Sequence, residues 1–214
     1  MSRQLALFIP SLLFALIFLF APFIVLADSP LHDAAKSGDL DTIRKMVDSG
    51  ADINAQDNRG SSALDVASSY GNGDIVAFLL NKGAKVNLVT NGGATAMQSG
   101  AALGDLAIVK MLYAEGGDIH IPNNYGDTPV LWAAMNGHAD VVAFLIEKGA
   151  RLDVANGRGL TALHLAASYD WTDVVEILLA NGADASAKDT SGETALDWAV
   201  KRKRTKTVEI LSSQ

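Results

Sequence analysis

Gly60, Gly93, Gly126, Gly159 and Gly192 follow one another at a constant interval of 33 residues. A period of that length belongs to a stack of small like units that bury their apolar faces on one another, not to a globule wrapped around one centre. A hydroxyl stands two residues after each of these glycines: Ser62, Thr95, Thr128, Thr161 and Thr194. A second series, Gly50, Gly83, Gly116, Gly149 and Gly182, keeps the same interval. Three columns in register make the repeat the architecture.

The segment from Asn123 onward shows how one unit is built. Asn123-Asn124-Tyr125-Gly126 carries turn chemistry, because asparagine and glycine tolerate positive φ and asparagine caps its own backbone. Thr128 suits a helix N-cap and Pro129 the first helical position, where a missing N–H costs nothing. The pattern predicts a short helix over 129 to about 136, stopped by Gly137 in the left-handed region. A second helix follows, striped by Val141, Val142, Phe144 and Leu145 and ended by Gly149. The stripe recurs in column as Ile75, Ile108, Val141 and Val174, and again as Leu79, Leu112, Leu145 and Leu178. Ala34, Ala67, Gly100, Ala133, Ala166 and Ala199 form a column of small residues that lets paired helices approach closely. Helices this short are marginal alone, so stability must accumulate between units.

Thr128-Pro129-Val130-Leu131-Trp132-Ala133, Thr161-Ala162-Leu163-His164-Leu165-Ala166 and Ser29-Pro30-Leu31-His32-Asp33-Ala34 resemble the helix start of ankyrin repeats. Gly50-Ala51-Asp52-Ile53-Asn54-Ala55 and Gly182-Ala183-Asp184 are similar to that family's turn into the next finger. The resemblance implies an all-α solenoid of about six helix–turn–helix units joined by β-turn fingers. Its domain covers 29–214, with units 29–56, 57–89, 90–122, 123–155, 156–188 and 189–214. Thr42 and Lys45 in the first unit, and Thr207, Lys203 and Arg204 in the last, replace apolar or glycine columns and read as soluble end faces. Gly100 and Gly117 depart from their columns, which marks the third unit as the least stable internal one, and Asp170 takes the place of a turn glycine.

Residues 1–27 stand outside the repeat. Arg3 precedes an uncharged apolar run from Leu5 to Ala27, and Val25-Leu26-Ala27 suits cleavage between Ala27 and Asp28. The run reads as a signal peptide, or, if retained, as a membrane anchor long enough to span a bilayer. Either reading sends the repeats out of the cytoplasm, to a bacterial periplasm first, with a membrane-tethered adaptor or a secreted host-directed effector as the alternatives. Without cysteine the chain has no disulfide, thiolate metal site or lipidated cysteine. The net charge is −7, and Lys201, Arg202, Lys203, Arg204 and Lys206 concentrate the positive charge near one end. The rest is acidic, which argues against a nucleic-acid partner. The basic run reads as the end cap, or as a contact for anionic lipid, wall polymer or an acidic partner.

No residue constellation points to catalysis. His32, His120, His138 and His164 fall in separate repeats at structural positions, so they predict hydrogen bonds between neighbouring turns instead of a metal site. Asp52, Asp118 and Asp184 occupy turn columns, and neither a nucleophile elbow nor a phosphate loop is present. The chain reads as a non-enzyme without cofactor, a monomer whose partner is another protein, with a membrane partner only if the leader is retained. The family resemblance places recognition on the concave face formed by finger tips and inner helices. Carried onto this sequence, it nominates Arg59, Tyr125 and Arg158 on the fingers and Tyr70, Leu103, Met135, Asn136 and Tyr169 on the helices. Tyrosine and arginine are the strongest anchors among them, since each couples contact area to hydrogen bonding. Trp132 and Trp198, earlier on the same helices, are read as packing residues with a partial view of the groove.

Overall fold

The computed structural model describes residues 30–213, so the leader and the expected cleavage site at Ala27 and Asp28 lie outside the described residues. Twelve helices among the described residues follow as antiparallel pairs: α1 (Pro30–Ser37) with α2 (Leu40–Asp48), α3 (Ala63–Ser69) with α4 (Gly73–Asn81), and α5 (Ala96–Leu103) with α6 (Leu106–Ala114). After them come α7 (Pro129–Asn136) with α8 (Ala139–Glu147), α9 (Ala162–Tyr169) with α10 (Thr172–Ala180), and α11 (Ala195–Lys201) with α12 (Thr205–Ser212). Odd helices pack on odd helices and even on even, so each pair touches mainly the one before and the one after. None of these helices is long and apolar enough to cross a membrane.

Local chemistry sets each boundary. Gly60, Gly93, Gly126, Gly159 and Gly192 close β-turns by donating to Asp57, Thr90, Asn123, Asn156 and Asp189 carbonyls at 2.8–3.0 Å. Side chains of that same column then accept backbone N–H groups across the finger; Asn123 Oδ1, for example, takes those of Tyr125 (2.9 Å) and Asp127 (3.0 Å). Successive fingers are joined by one backbone bond each, Asn91 N–H to Arg59 C=O, Asn124 to Gly92, Gly157 to Tyr125 and Thr190 to Arg158. One isolated antiparallel bridge, Gln56 to Ser62, is the extent of β-pairing among the described residues.

The apolar columns meet where the periodicity requires. Ile75, Ile108, Val141 and Val174 are at most 1% exposed, and Leu79, Leu112, Leu145 and Leu178 are fully buried. Phe144 is only half-buried; its ring meets Tyr113 edge to face at 5.8 Å. Gly100 and Gly117 are matched to their neighbours. A methyl at 117 would stand 2.8 Å from Met97 Cε and 2.7 Å from the Leu112 carbonyl oxygen, so the glycine makes room for a longer side chain than the leucines of that column. At 100 the same methyl would press within 3.1 Å of Ile108.

The residue after each inter-helix turn provides a second tie. Asn72 Nδ2 donates to Ala35 C=O (2.7 Å), His138 Nε2 meets Ala102 C=O (2.9 Å), Trp171 Nε1 donates to Met135 C=O (2.9 Å), and Arg204 Nε to Ser168 C=O (3.0 Å). These carbonyls belong to the last turn of the preceding odd helix, where no intrahelical donor is available. Asp105, at the equivalent position, instead caps its own helix by accepting from Ile108 N–H (3.0 Å).

Two end-face expectations need correction. Thr207 is fully buried, with its hydroxyl and backbone N–H on Asp170 Oδ1 at 2.8 and 3.2 Å. Arg204 is half-buried and serves the tie just described. Thus Asp170, in place of a glycine, reaches into the last pair, and these polar residues join helices rather than facing water. At the other end Lys45 is exposed and Thr42 half-buried, as an end face requires.

Candidate protein-binding face

The nominated residues are held by the turn and cap chemistry above. Tyr125, at the tip of its finger, is 75% exposed although its backbone is tied on both sides, its N–H to Asn123 and its carbonyl to Gly157. Arg59 stands on the finger two units earlier, where its guanidinium meets Asp57 Oδ2 at 3.1 Å. Tyr70, Leu103, Asn136 and Tyr169 form a row at the C-terminal ends of α3, α5, α7 and α9, exposed to water although three of the four are large and apolar or aromatic. Lys36 Nζ lies 5.5 Å from the centre of the Tyr70 ring. Asn136 turns its amide back to the Trp132 carbonyl at 2.9 Å.

Three nominated residues share one cleft. Tyr125, Met135 and Arg158 border a groove of about 560 Å³ whose apolar floor includes Leu160 and Leu165. Arg59 lies on a more distant finger, and the helix-end row is not part of this groove. Leu160 and Leu165 were missed because their columns are mixed, with Ser61, Asp127 and Glu193 in one and Asp33, Ser99 and Trp132 in the other, so no consistent pattern marks them; they are buried, yet still line the groove. Arg202 was missed as well. It stands one period beyond Tyr169, in the helix-end row, but the basic run around it disguised that register. Its guanidinium lies 5.7 Å from the Tyr169 ring centre and 5.2 Å from that of Trp198.

Trp198 combines both expected roles: half-buried, it donates its indole N–H to Asp189 Oδ2 at 2.9 Å. The Glu193 N–H holds the Asp189 carboxyl below its usual range against partial desolvation, helped by the indole and the Ser191 N–H. Trp132 is half-buried with its indole nitrogen buried and unpartnered.

Of the histidines, His32 Nε2 meets Ser61 C=O at 2.8 Å and His164 Nε2 meets Glu193 C=O at 3.1 Å, so with His138 three of the four tie neighbouring units. His120 is exposed and makes no such bond among the described residues. It borders a cavity of about 320 Å³ between the start of α7 and the turns after α6 and α8. Thr128 contributes a buried, unpartnered hydroxyl there. The expected cap at Thr128 keeps its extended backbone but lacks the side-chain bond. Position 131 is leucine, whereas Gln98 and His164 at the equivalent positions close capping boxes with Thr95 and Thr161.

Asp52, Asp118 and Asp184 accept backbone N–H groups within their turns at 2.8–2.9 Å, as their column predicts. Among the described residues no group of three histidine, aspartate or glutamate side chains is placed to hold a metal ion.

The sequence matches the family described as ankyrin repeats (3 copies) over residues 31–123, 96–189 and 152–214. The chain belongs to the ankyrin-repeat family. Comparison with curated proteins gives no significant match. Ankyrin repeats generally mediate protein–protein interaction and are typically non-catalytic. In this ankyrin-repeat chain exposed Tyr125 stands on a finger whose backbone is already tied, and exposed Tyr70 and Tyr169 stand at helix ends.

Proposed function

We propose that this chain is a non-catalytic, monomeric scaffold that acts outside the cytoplasm and binds a partner protein on its finger and inner-helix face. The observation that carries the reading is the fixed display of Tyr70, Leu103, Tyr125 and Tyr169 in water beside the Tyr125–Met135–Arg158 groove. Large side chains on tied backbones lose little conformational freedom on association, so their contact area is converted to affinity efficiently. Export is supported by the uncharged run from Leu5 to Ala27 after Arg3.

Crosslinking in the native envelope, followed by identification of the captured protein, supplies the partner for the test. Tyr125→Ala combined with Arg158→Ala is expected to weaken its binding by about a hundredfold or more, since truncation of such anchors costs about 2 kcal/mol each. The melting temperature should stay nearly constant, because both side chains project from the surface. Unchanged affinity in the double variant would refute this face as the binding surface.

The length of the apolar run also favours a second reading, a membrane-tethered adaptor with the leader retained. Intact-mass measurement separates the two: a mature protein starting at Asp28 excludes the tether.

A further inference from the structure

Arg158 and Arg202 approach the same indole. Their guanidinium carbons lie 5.5 and 5.2 Å from the Trp198 ring centre, and Arg202 also lies 5.7 Å from that of Tyr169. Among the described residues neither guanidinium makes a side-chain hydrogen bond or an ion pair; the bonds of Arg158 are made by its backbone.

The nearby carboxylates are already committed. Glu193 pairs with Lys201, Asp189 takes the Trp198 indole and two backbone N–H groups, and Asp197 closes a capping box with Thr194. Two cations held on one ring therefore keep their forked donors open to solvent on an otherwise acidic chain of net charge −7. Ring stacking holds each guanidinium in place and leaves its edge free, the arrangement that accepts a carboxylate in bidentate fashion. Like charge concentrated there is relieved only by an anion. Arg158 also borders the apolar cleft with Tyr125, Met135, Leu160 and Leu165, so the anion site and the apolar site adjoin.

We propose that this corner recognises an acidic, extended segment of a partner protein, seating one bulky apolar side chain in the Tyr125–Met135–Arg158 cleft and placing flanking carboxylates on Arg158 and Arg202. The proposal rests on the protein-binding reading above and adds the chemistry of the partner. Charge complementarity selects the occupant: a neutral or basic segment would leave both guanidinium groups unpaired at the edge of a buried contact, which opposes binding.

The test uses the purified full chain and fluorescein-labelled dodecapeptides with a central tryptophan or leucine flanked by glutamates, against matched peptides carrying glutamine, read by fluorescence anisotropy. Glutamate peptides should bind about tenfold more tightly or better, with an advantage that falls as salt rises. Arg158→Gln with Arg202→Gln should abolish that advantage while the melting temperature holds. Equal binding of both peptide sets, an unaffected double variant, or no detectable binding of any glutamate peptide would overturn the proposal. If both sets bind equally and Tyr125→Ala weakens both, the protein-binding face stands and only its acid selectivity fails. Phosphatidylglycerol vesicles that displace the glutamate peptide through the same two arginines would identify a lipid-reading surface and overturn the protein partner.

Discussion

Asp65 is the residue at which the repeat works against itself. Position 32 of the same column places a histidine nitrogen on the carbonyl of Ser61; Gln98 and His164 likewise reach Asp127 and Glu193, each 29 residues onward. An ionised aspartate has no proton for that bond. Asp65 is 6% exposed, and desolvation raises its pKa above the ordinary carboxylate value, with Ser99 and Ser61 hydroxyls opposing. Ser99 Oγ donates to its Oδ1 at 2.6 Å. Because the folded pKa is raised, folding favours the protonated carboxyl. That contribution is complete below the unfolded value of about 4 and is lost as pH rises through the folded pKa. Asp65→Asn keeps an acceptor for Ser99 and supplies a donor, so it should stabilise the protein at pH 7 by about 1 kcal/mol, and by less at pH 4. Thermal denaturation between pH 4 and 8 measures this; a variant less stable at pH 7 would show the carboxylate to be required. The column and its register were readable beforehand, but not that this acid, unlike Asp52 or Asp118, faces inward.

Among the elements, the turns within helix pairs show how one backbone requirement can be met at different energetic cost. Asp170 and Lys203 occupy glycine positions at φ 66° and 58°, a region that costs a residue with a β-carbon about 1–2 kcal/mol. Lys203 is exposed and has no side-chain bond among the described residues, so Lys203→Gly should stabilise the last pair by about 1 kcal/mol. Asp170→Gly relieves the same strain but forfeits both bonds to buried Thr207, and should destabilise by about 1–2 kcal/mol. Opposite signs in urea denaturation would establish the bridging role of Asp170, whereas equal gains would refute it. The left-handed tolerance of aspartate could be anticipated from residue type. Its contact with a threonine 37 residues away could not, since no local pattern encodes that approach.

At the scale of the whole chain, stability is a sum of junctions between successive helix pairs. Leu112 in α6 is fully buried between neighbours on both sides, while Leu211 in α12 has neighbours on one side only. Leu112→Ala should lower global stability by about 3 kcal/mol. Leu211→Ala should instead release α11 and α12 locally, with amide protection in α5 to α8 retained. Hydrogen exchange resolved by helix measures both, and uniform loss of protection in the Leu211 variant would mean that the stack melts only as one body.

The order of helices, their stops and most of their caps were determined by sequence alone. Each depends on interactions within a few residues, and the 33-residue period then repeats the same local solution along the chain. Tertiary structure decided what meets across that period: Thr207 buried under Asp170, Thr128 left without a cap partner by Leu131, and Arg158 and Arg202 gathered on Trp198. Those encounters depend on the distance and angle between stacked pairs, quantities set by the packing of side chains from two units at once and by neither unit alone.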